Sequence, residues 1–223
     1  MTQTVSARIA AATPARPAAR ALLAGAAVAG PLFLGAGLIQ GLTRDGFDFT
    51  RNALSQLSLG SLGGIQVAAF LLTGVLLVAG ALGMRQALRD APGGIWAPRL
   101  IGVFGASFVL AGLFTADPGA GFPDGAPEAR AVSMSTHGAI HMFSGMVGYL
   151  ALCAAFLVLA RHFAAQNQRG WAVSSRIMPA GILVGLVGSS STVLAFTVGA
   201  GLGLLWLTAV TTRLMAAAPE ARR

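Results

Sequence analysis

Apolar residues in this chain fill whole stretches instead of recurring at alternate positions or along one helical stripe. Nearly continuous runs lie near Ala21 to Leu42, Gly63 to Met84, Pro98 to Thr115, Thr136 to Ala160, Ile177 to Phe196 and Gly199 to Met215. A helix rises about 1.5 Å per residue, so roughly 20 such residues cross the ~30 Å hydrocarbon core of a bilayer. The pattern predicts six spans. Helix is the expected form because backbone polar groups in lipid must be satisfied within their own segment, and barrel-type alternation is missing. The fold class is therefore all-α, an integral membrane six-helix bundle. The apolar stretch from Ile177 to Met215 is too long for one helix, and Gly199, Gly201 and Gly203 predict a tight reversal between the last two spans.

Composition agrees with this reading. Of 223 residues, 55% are hydrophobic and 10% charged, against about 25% charged in soluble domains; the composition argues against a water-soluble fold. The pattern divides the chain into residues 1–19, an alanine-rich segment with Pro14 and Pro17 expected to be disordered, a transmembrane domain over 20–216, and a short tail over 217–223. The first apolar run is longer than the core of a signal peptide and reads as an uncleaved anchor.

Arginine placement predicts orientation, because positively charged loops stay cytoplasmic. Arg8, Arg16 and Arg20 precede the first span; Arg85, Arg89 and Arg99 join the second to the third; Arg161, Arg169 and Arg176 join the fourth to the fifth; Arg213, Arg222 and Arg223 follow the sixth. Only Arg44, Arg51 and Arg130 fall on the other side, together with Asp45, Asp48, Asp117, Asp124 and Glu128. N- and C-termini are both expected in the cytoplasm. The net charge of +8 then follows from orientation and favours anionic lipid. Nucleic acid is not an expected partner, since no basic cluster is interleaved with aromatics. All fifteen basic residues are arginine, which points to a GC-rich genome and to a bacterial inner (plasma) membrane as the location.

Several residue classes have ordinary readings. Cys153 stands alone and reads as a small buried apolar group. The glycine pairs 37/41, 181/185 and 199/203 have GxxxG spacing, suited to close helix packing within one bundle or to an oligomer contact. Trp96 and Trp171 fall at predicted cytoplasmic boundaries and read as interfacial anchors. No internal repeat supports an inverted-repeat transporter. The middles of the spans carry no charge, whereas ion-coupled transporters use such groups as relays; a permease for a neutral solute stays open. Ser107, Ser144, Ser189, Ser190, Ser191, Thr192 and Thr208 are expected to hydrogen-bond within or between helices.

The chemistry-bearing residues gather on the predicted outer side. His137 and His141 are four apart and share a helix face. Asp117 follows the third span, which must neighbour the fourth, so carboxylate and imidazoles are expected at similar depth. Three readings fit: a hydrogen-bond network holding helix ends, a metal site, or a site for a polar ligand. Two His and one carboxylate suffice for a catalytic zinc, although HxxxH lacks the glutamate of HExxH. No cofactor is expected, zinc being the one that these residues could take. The first outer loop, Thr43 to Leu62, reads as a half-buried surface helix capped by Asp48 or Thr50, with Leu54, Leu57 and Leu59 toward lipid and Arg51, Ser55 and Gln56 toward the bundle mouth. Arg51, as an anion partner, and Ser55 join Asp117, His137 and His141 as candidate ligand-binding residues.

Ser55-Gln56-Leu57, Gly63-Gly64-Ile65-Gln66 with Phe70, Gly112 to Pro118, and a fourth span opening with His137 and His141 resemble a family of six-span prokaryotic membrane proteins grouped as domain of unknown function 998. The resemblance spans most of residues 20–215 and implies a six-helix bundle; it carries no catalytic role to any residue. A looser similarity is to the seven-span membrane hydrolases related to alkaline ceramidases, which use Ser, Asp and three His around zinc. Here His162 is expected on the cytoplasmic side, leaving Asp117, His137 and His141. The expectation is an accessory or binding protein with an outward-facing polar pocket for a lipid headgroup or small polar ligand. The alternatives are a zinc-dependent hydrolase of a lipid amide or ester at the outer leaflet, and the neutral-solute permease.

Overall fold

A computed structural model describes residues 17–129 and 134–217. It contains six long helices: α1 (Pro17–Thr43), α2 (Gly63–Ala87), α3 (Trp96–Leu113), α4 (Thr136–Ala165), α5 (Arg169–Gly188) and α6 (Val193–Ala217), with a short 3₁₀ helix at Leu54–Ser58. All six are long and apolar enough to cross a membrane, and the protein is a multi-pass membrane protein. The disorder expected for residues 1–19 concerns mostly residues outside the described ones; Pro17 to Ala19 form the first turn of α1, and Ala19 is buried. Arg130 and residues 218–223 of the expected tail also lie outside the described residues.

Each helix packs against the next in sequence, and α6 returns to α1, closing a ring. Because crossings alternate, the α1–α2, α3–α4 and α5–α6 connections share one end, called here the capped end. The opposite, arginine-rich end holds both described chain ends. Residues facing away from the ring are apolar, with Val187 75% and Phe143 72% exposed. Lipid is the solvent that tolerates such a surface.

Near the arginine-rich end the ring is filled. Leu23, Leu77, Met84, Ile101, Phe104, Leu152, Phe156, Leu159, Leu207 and Val210 are all at most 1% exposed. Toward the capped end an edge-to-face aromatic stack takes over between α1, α2 and α3: Phe33 lies 4.8 Å from Phe70 and 5.0 Å from Phe108, ring centre to ring centre.

Helix ends follow local chemistry. Ser135 caps α4 by accepting from the Gly138 N–H at 3.0 Å. At the other end of α4, Asn167 takes the left-handed conformation (φ 59°), and the Gln168 N–H reaches back to the Phe163 carbonyl at 2.9 Å, closing a Schellman turn.

Two sequence expectations are corrected. The last two spans separate at residues 189–192, not near Gly199, and α5 starts at Arg169, not near Ile177. Arg169 and Arg176 lie on the exposed face of α5 while Ala172 and Ser175 turn inward, so these charges decorate the helix and do not interrupt it. Gly199 is instead a packing residue: a Cβ there would come 3.0 Å from the Gly185 Cα, so the missing side chains let α5 and α6 touch backbone to backbone. Gly37 and Gly41 likewise accommodate Leu54 and Phe49. The second correction concerns the outer loop. Leu57 is fully buried and Leu54 packs on Gly37; both point into the bundle, not toward lipid.

Candidate functional site

The capped end is built from all three of its loops. Arg44, just past α1, donates to the carbonyls of Leu57 and Leu59 at 2.6 Å each, and its guanidinium lies 4.8 Å from the Phe122 ring centre. Partial burial pulls this guanidinium below its ordinary pKa. Asn52, 1% exposed, accepts from the Asp48 N–H at 2.9 Å and donates to the Ala120 carbonyl at 3.3 Å. Gln56 donates to the Gly119 carbonyl at 3.0 Å and accepts from the Ala53 N–H at 3.0 Å. The α5–α6 turn joins through Thr192, whose hydroxyl donates to the Thr50 carbonyl at 3.1 Å. Arg44 and Asn52 were not singled out in the sequence. Their signal is weak, since a polar residue in an external loop has no special appearance until its carbonyl partners are known.

The five candidate residues separate into three settings. Arg51 pairs with Glu128 at 2.7 Å on the surface of the cap, with the two side chains 49% and 81% exposed; hydrogen bonding to Glu128 holds Arg51 above its ordinary pKa. Asp117 accepts from both the backbone N–H (2.9 Å) and the hydroxyl of Ser135. A Cβ on Gly138 would fall on the Asp117 carboxylate, which explains a glycine in the first turn of α4. His137 is exposed, with its ring 5.2 Å from that of Phe114. His141 is buried, and its Nδ1 faces the carbonyls of Phe114 (2.9 Å) and Ala111 (3.2 Å). Carbonyl oxygens only accept, so this nitrogen carries a hydrogen and donates to the open C-terminal turn of α3.

Asp117, His137 and His141 thus all act at the α3–α4 junction but point at different partners. Both Asp117 oxygens are engaged by Ser135, and among the described residues no three His, Cys, Asp or Glu side chains are grouped to hold a metal. These residues do not fit a zinc centre as arranged, and no hydrolytic step follows from them.

A different feature lies at the middle of the ring. A cavity of about 280 Å³ is bordered by all six helices and roofed by Ala53, Leu54 and Ser55 of the 3₁₀ region. Phe33, Phe70 and Phe108 form one wall, Ile182, Leu186, Phe196 and Leu204 another. Ser55 and His141 are the two sequence candidates that meet here. Among the other hydroxyls lining it, Ser107 donates to the Phe104 carbonyl at 2.7 Å and Ser189 to the Leu186 carbonyl at 2.6 Å. Tyr149 stands with its ring 5.3 Å from Phe104 and 5.5 Å from Phe196.

The cavity has a thin side. Met142, Met146 and Leu150 on α4 and Leu183 on α5 line it and are also 41 to 59% exposed on the lipid-facing surface. Gly145, beside them, has no atom within 4 Å of where a Cβ would stand. Toward the arginine-rich end aromatics close the α4–α5 seam, with Phe163 and Trp171 5.7 Å apart, and Trp171 also meets Trp206 of α6 at 5.2 Å; Trp171 is thus a packing residue against the core. Ser144 lines a separate shallow groove on the outer α3–α4 face, and Ser190 and Thr192 lie in the turn at the capped end.

No curated protein and no solved structure matches this chain. Residues 27–217 match the family described as "Protein of unknown function (DUF998)", a stretch that takes in most of α1 and the whole of α2 to α6, and the chain belongs to that family.

Proposed function

We propose that the protein binds one apolar chain of a lipid in its central cavity and serves as a lipid-binding accessory component of the bacterial inner membrane, with both termini in the cytoplasm and the capped end outside. One observation carries this reading: the space enclosed by the six helices is lined almost wholly by apolar side chains, and its α4–α5 wall is shared with the lipid-facing surface. A lipid tail reaches such a space from the side without passing the cap. The volume, about 280 Å³, is close to the lower bound of pockets that hold small ligands, roughly 300 to 1,000 Å³. The expected polar pocket is in this reading an apolar one with a few polar atoms, and Arg51, His137 and Asp117 serve the cap and the helix junction.

Native mass spectrometry of the purified protein, released from detergent, tests this. The wild type is expected to retain one lipid-sized adduct. Gly145→Phe projects a ring into open space and is expected to lose the adduct while keeping the wild-type unfolding temperature within a few degrees. An adduct-free wild type that also takes up no added lipid refutes the proposal.

A further inference from the structure

The proposal that the cavity holds a lipid chain leaves open which lipid. We infer that the occupant is an uncharged, single-chain lipid with a hydroxyl or carbonyl head, recognised by the Tyr149 hydroxyl with Ser55 and His141. The inference rests on the chain-binding reading and deepens it.

Charge decides the first part. Among the described residues that line the cavity there is no Arg, Asp or Glu; its polar atoms are hydroxyls, one thiol and one imidazole. A phosphate or carboxylate drawn into this space would lose its water and meet no counter-ion, an arrangement that buried charges do not survive unpaired. The arginine nearest to the roof in sequence, Arg51, is committed to Glu128 on the outside of the cap. Arg44 is committed to the carbonyls of Leu57 and Leu59. Anionic headgroups therefore have their partners elsewhere, and the cavity suits a neutral head.

Unused hydrogen-bonding capacity decides the second part. Ser107 and Ser189 return their hydroxyls to backbone carbonyls. Tyr149 is half-buried on the cavity wall, and no hydrogen-bond partner holds its hydroxyl among the described residues. A tyrosine hydroxyl that faces an apolar cavity, away from bulk water, ordinarily finds a partner. Tyr149 follows His141 and Gly145 on one face of α4, spaced four apart, and helical side chains lean toward the helix N-terminus, which carries the phenol toward the capped end. There the His141 ring, with Nδ1 donating to α3, keeps Nε2 as its remaining polar atom. A head with one or two oxygens satisfies these groups. The modest volume admits one chain and not the two of a phospholipid.

The full-length protein is reconstituted in nanodiscs of phosphatidylethanolamine and phosphatidylglycerol containing either diazirine-tagged hexadecanol or diazirine-tagged hexadecyl sulfate, which share a chain and differ in charge. After illumination, labelled peptides are mapped. Hexadecanol is expected to label the cavity-lining segments of α4 and α6 about tenfold more than the sulfate. Tyr149→Phe keeps both ring contacts and is expected to lower hexadecanol labelling five- to tenfold, the effect of losing one hydrogen bond of ordinary strength. Equal or stronger labelling by the sulfate overturns the inference, as does an unchanged yield in Tyr149→Phe, and either result leaves chain binding standing. If neither probe labels the cavity segments, chain binding itself fails and the inference falls with it.

Discussion

Asp117 receives two hydrogen bonds from one residue, the N–H and the hydroxyl of Ser135, and Ser135 in turn accepts from the Gly138 N–H to start α4. The carboxylate fixes the orientation of the capping serine, and the α3–α4 connection is closed across eighteen residues of chain. Asp117→Ala leaves the Ser135 N–H unpaired and frees its hydroxyl. The expected cost is about 1 to 3 kcal/mol, read as a lower unfolding midpoint in detergent. Asp117→Asn, which keeps one acceptor oxygen, is expected to lose less. Equal stability of Asp117→Ala and wild type contradicts the assignment.

The α5–α6 contact sets up a comparison between glycines. A Cβ at Gly185 would lie 2.7 Å from the Ala195 carbonyl oxygen and 2.9 Å from the Gly199 Cα, both backbone atoms, whereas one at Gly145 meets nothing within 4 Å. Gly185→Ala therefore forces two helices apart and is expected to cost about 1 to 3 kcal/mol. Gly145→Ala is expected to be neutral or slightly stabilising through its better helix propensity. Thermal unfolding of the two variants side by side distinguishes them; a greater loss at Gly145 is incompatible with the cavity as described.

These contacts show what was legible in the chain beforehand. Six spans were, because hydrocarbon imposes a length and an apolarity that few other contexts require, and Gly37, Gly185 and Gly199 carried the right small-residue signal. The α5–α6 boundary was hidden because Ser189 to Thr192 look alike whether they bond back inside a helix or form a turn, and because Arg176 on an exposed helix face resembles a loop arginine. Leu57 reads as lipid-facing from sequence because in a membrane protein apolarity no longer separates inside from outside. The cavity was invisible for the same reason: Ile182 and Leu204 would have the same sequence signature if they packed against each other. His141 was legible as a residue with a task, but its carbonyl partners on α3 were not.

Arg44 holds the far end of the 3₁₀ helix whose first residues roof the cavity. Two of its N–H groups reach the carbonyls of Leu57 and Leu59 at the end of the 3₁₀ helix, a fork that lysine cannot reproduce. Arg44→Lys is expected to weaken the roof by about 1.5 to 3 kcal/mol locally. Hydrogen exchange of the amides from Gln56 to Leu59 is expected to quicken while those of α2 stay protected. Unchanged exchange in this segment dissociates Arg44 from the cap.

The cap also carries an acid-sensitive element. Asp48 accepts from the Thr50 hydroxyl at 2.7 Å and from its N–H at 2.8 Å, and these bonds hold its carboxyl below the ordinary value of 3.8. A depressed folded-state pKa means that the carboxylate stabilises the turn above pH 3.8 and that this contribution is lost as pH falls through the lower folded value. Exchange protection at the Thr50 amide is therefore expected to persist at pH 5 and to fade below pH 3.8. Protection that increases on acidification reverses the sign and rules out the bond as its source.

Orientation in the membrane is the expectation on which the proposed direction of lipid access depends. The arginines gather at the end of the ring where α1 begins and α6 finishes, and Trp96 at that end is 61% exposed with the Arg99 guanidinium 5.5 Å from its ring. At the other end Asp124 is exposed within the cap. In a Cys153→Ala background, which removes the buried native thiol, Trp96→Cys and Asp124→Cys give one reporter at each end. A membrane-impermeant maleimide applied to intact cells is expected to modify the cysteine at position 124 and to reach position 96 only after permeabilisation, because excess arginine retains a loop in the cytoplasm. The opposite pattern would place the cap inside the cell. The thin α4–α5 wall, which lies nearer the capped end, would then face the inner leaflet, and any lipid held there would have to be drawn from that side.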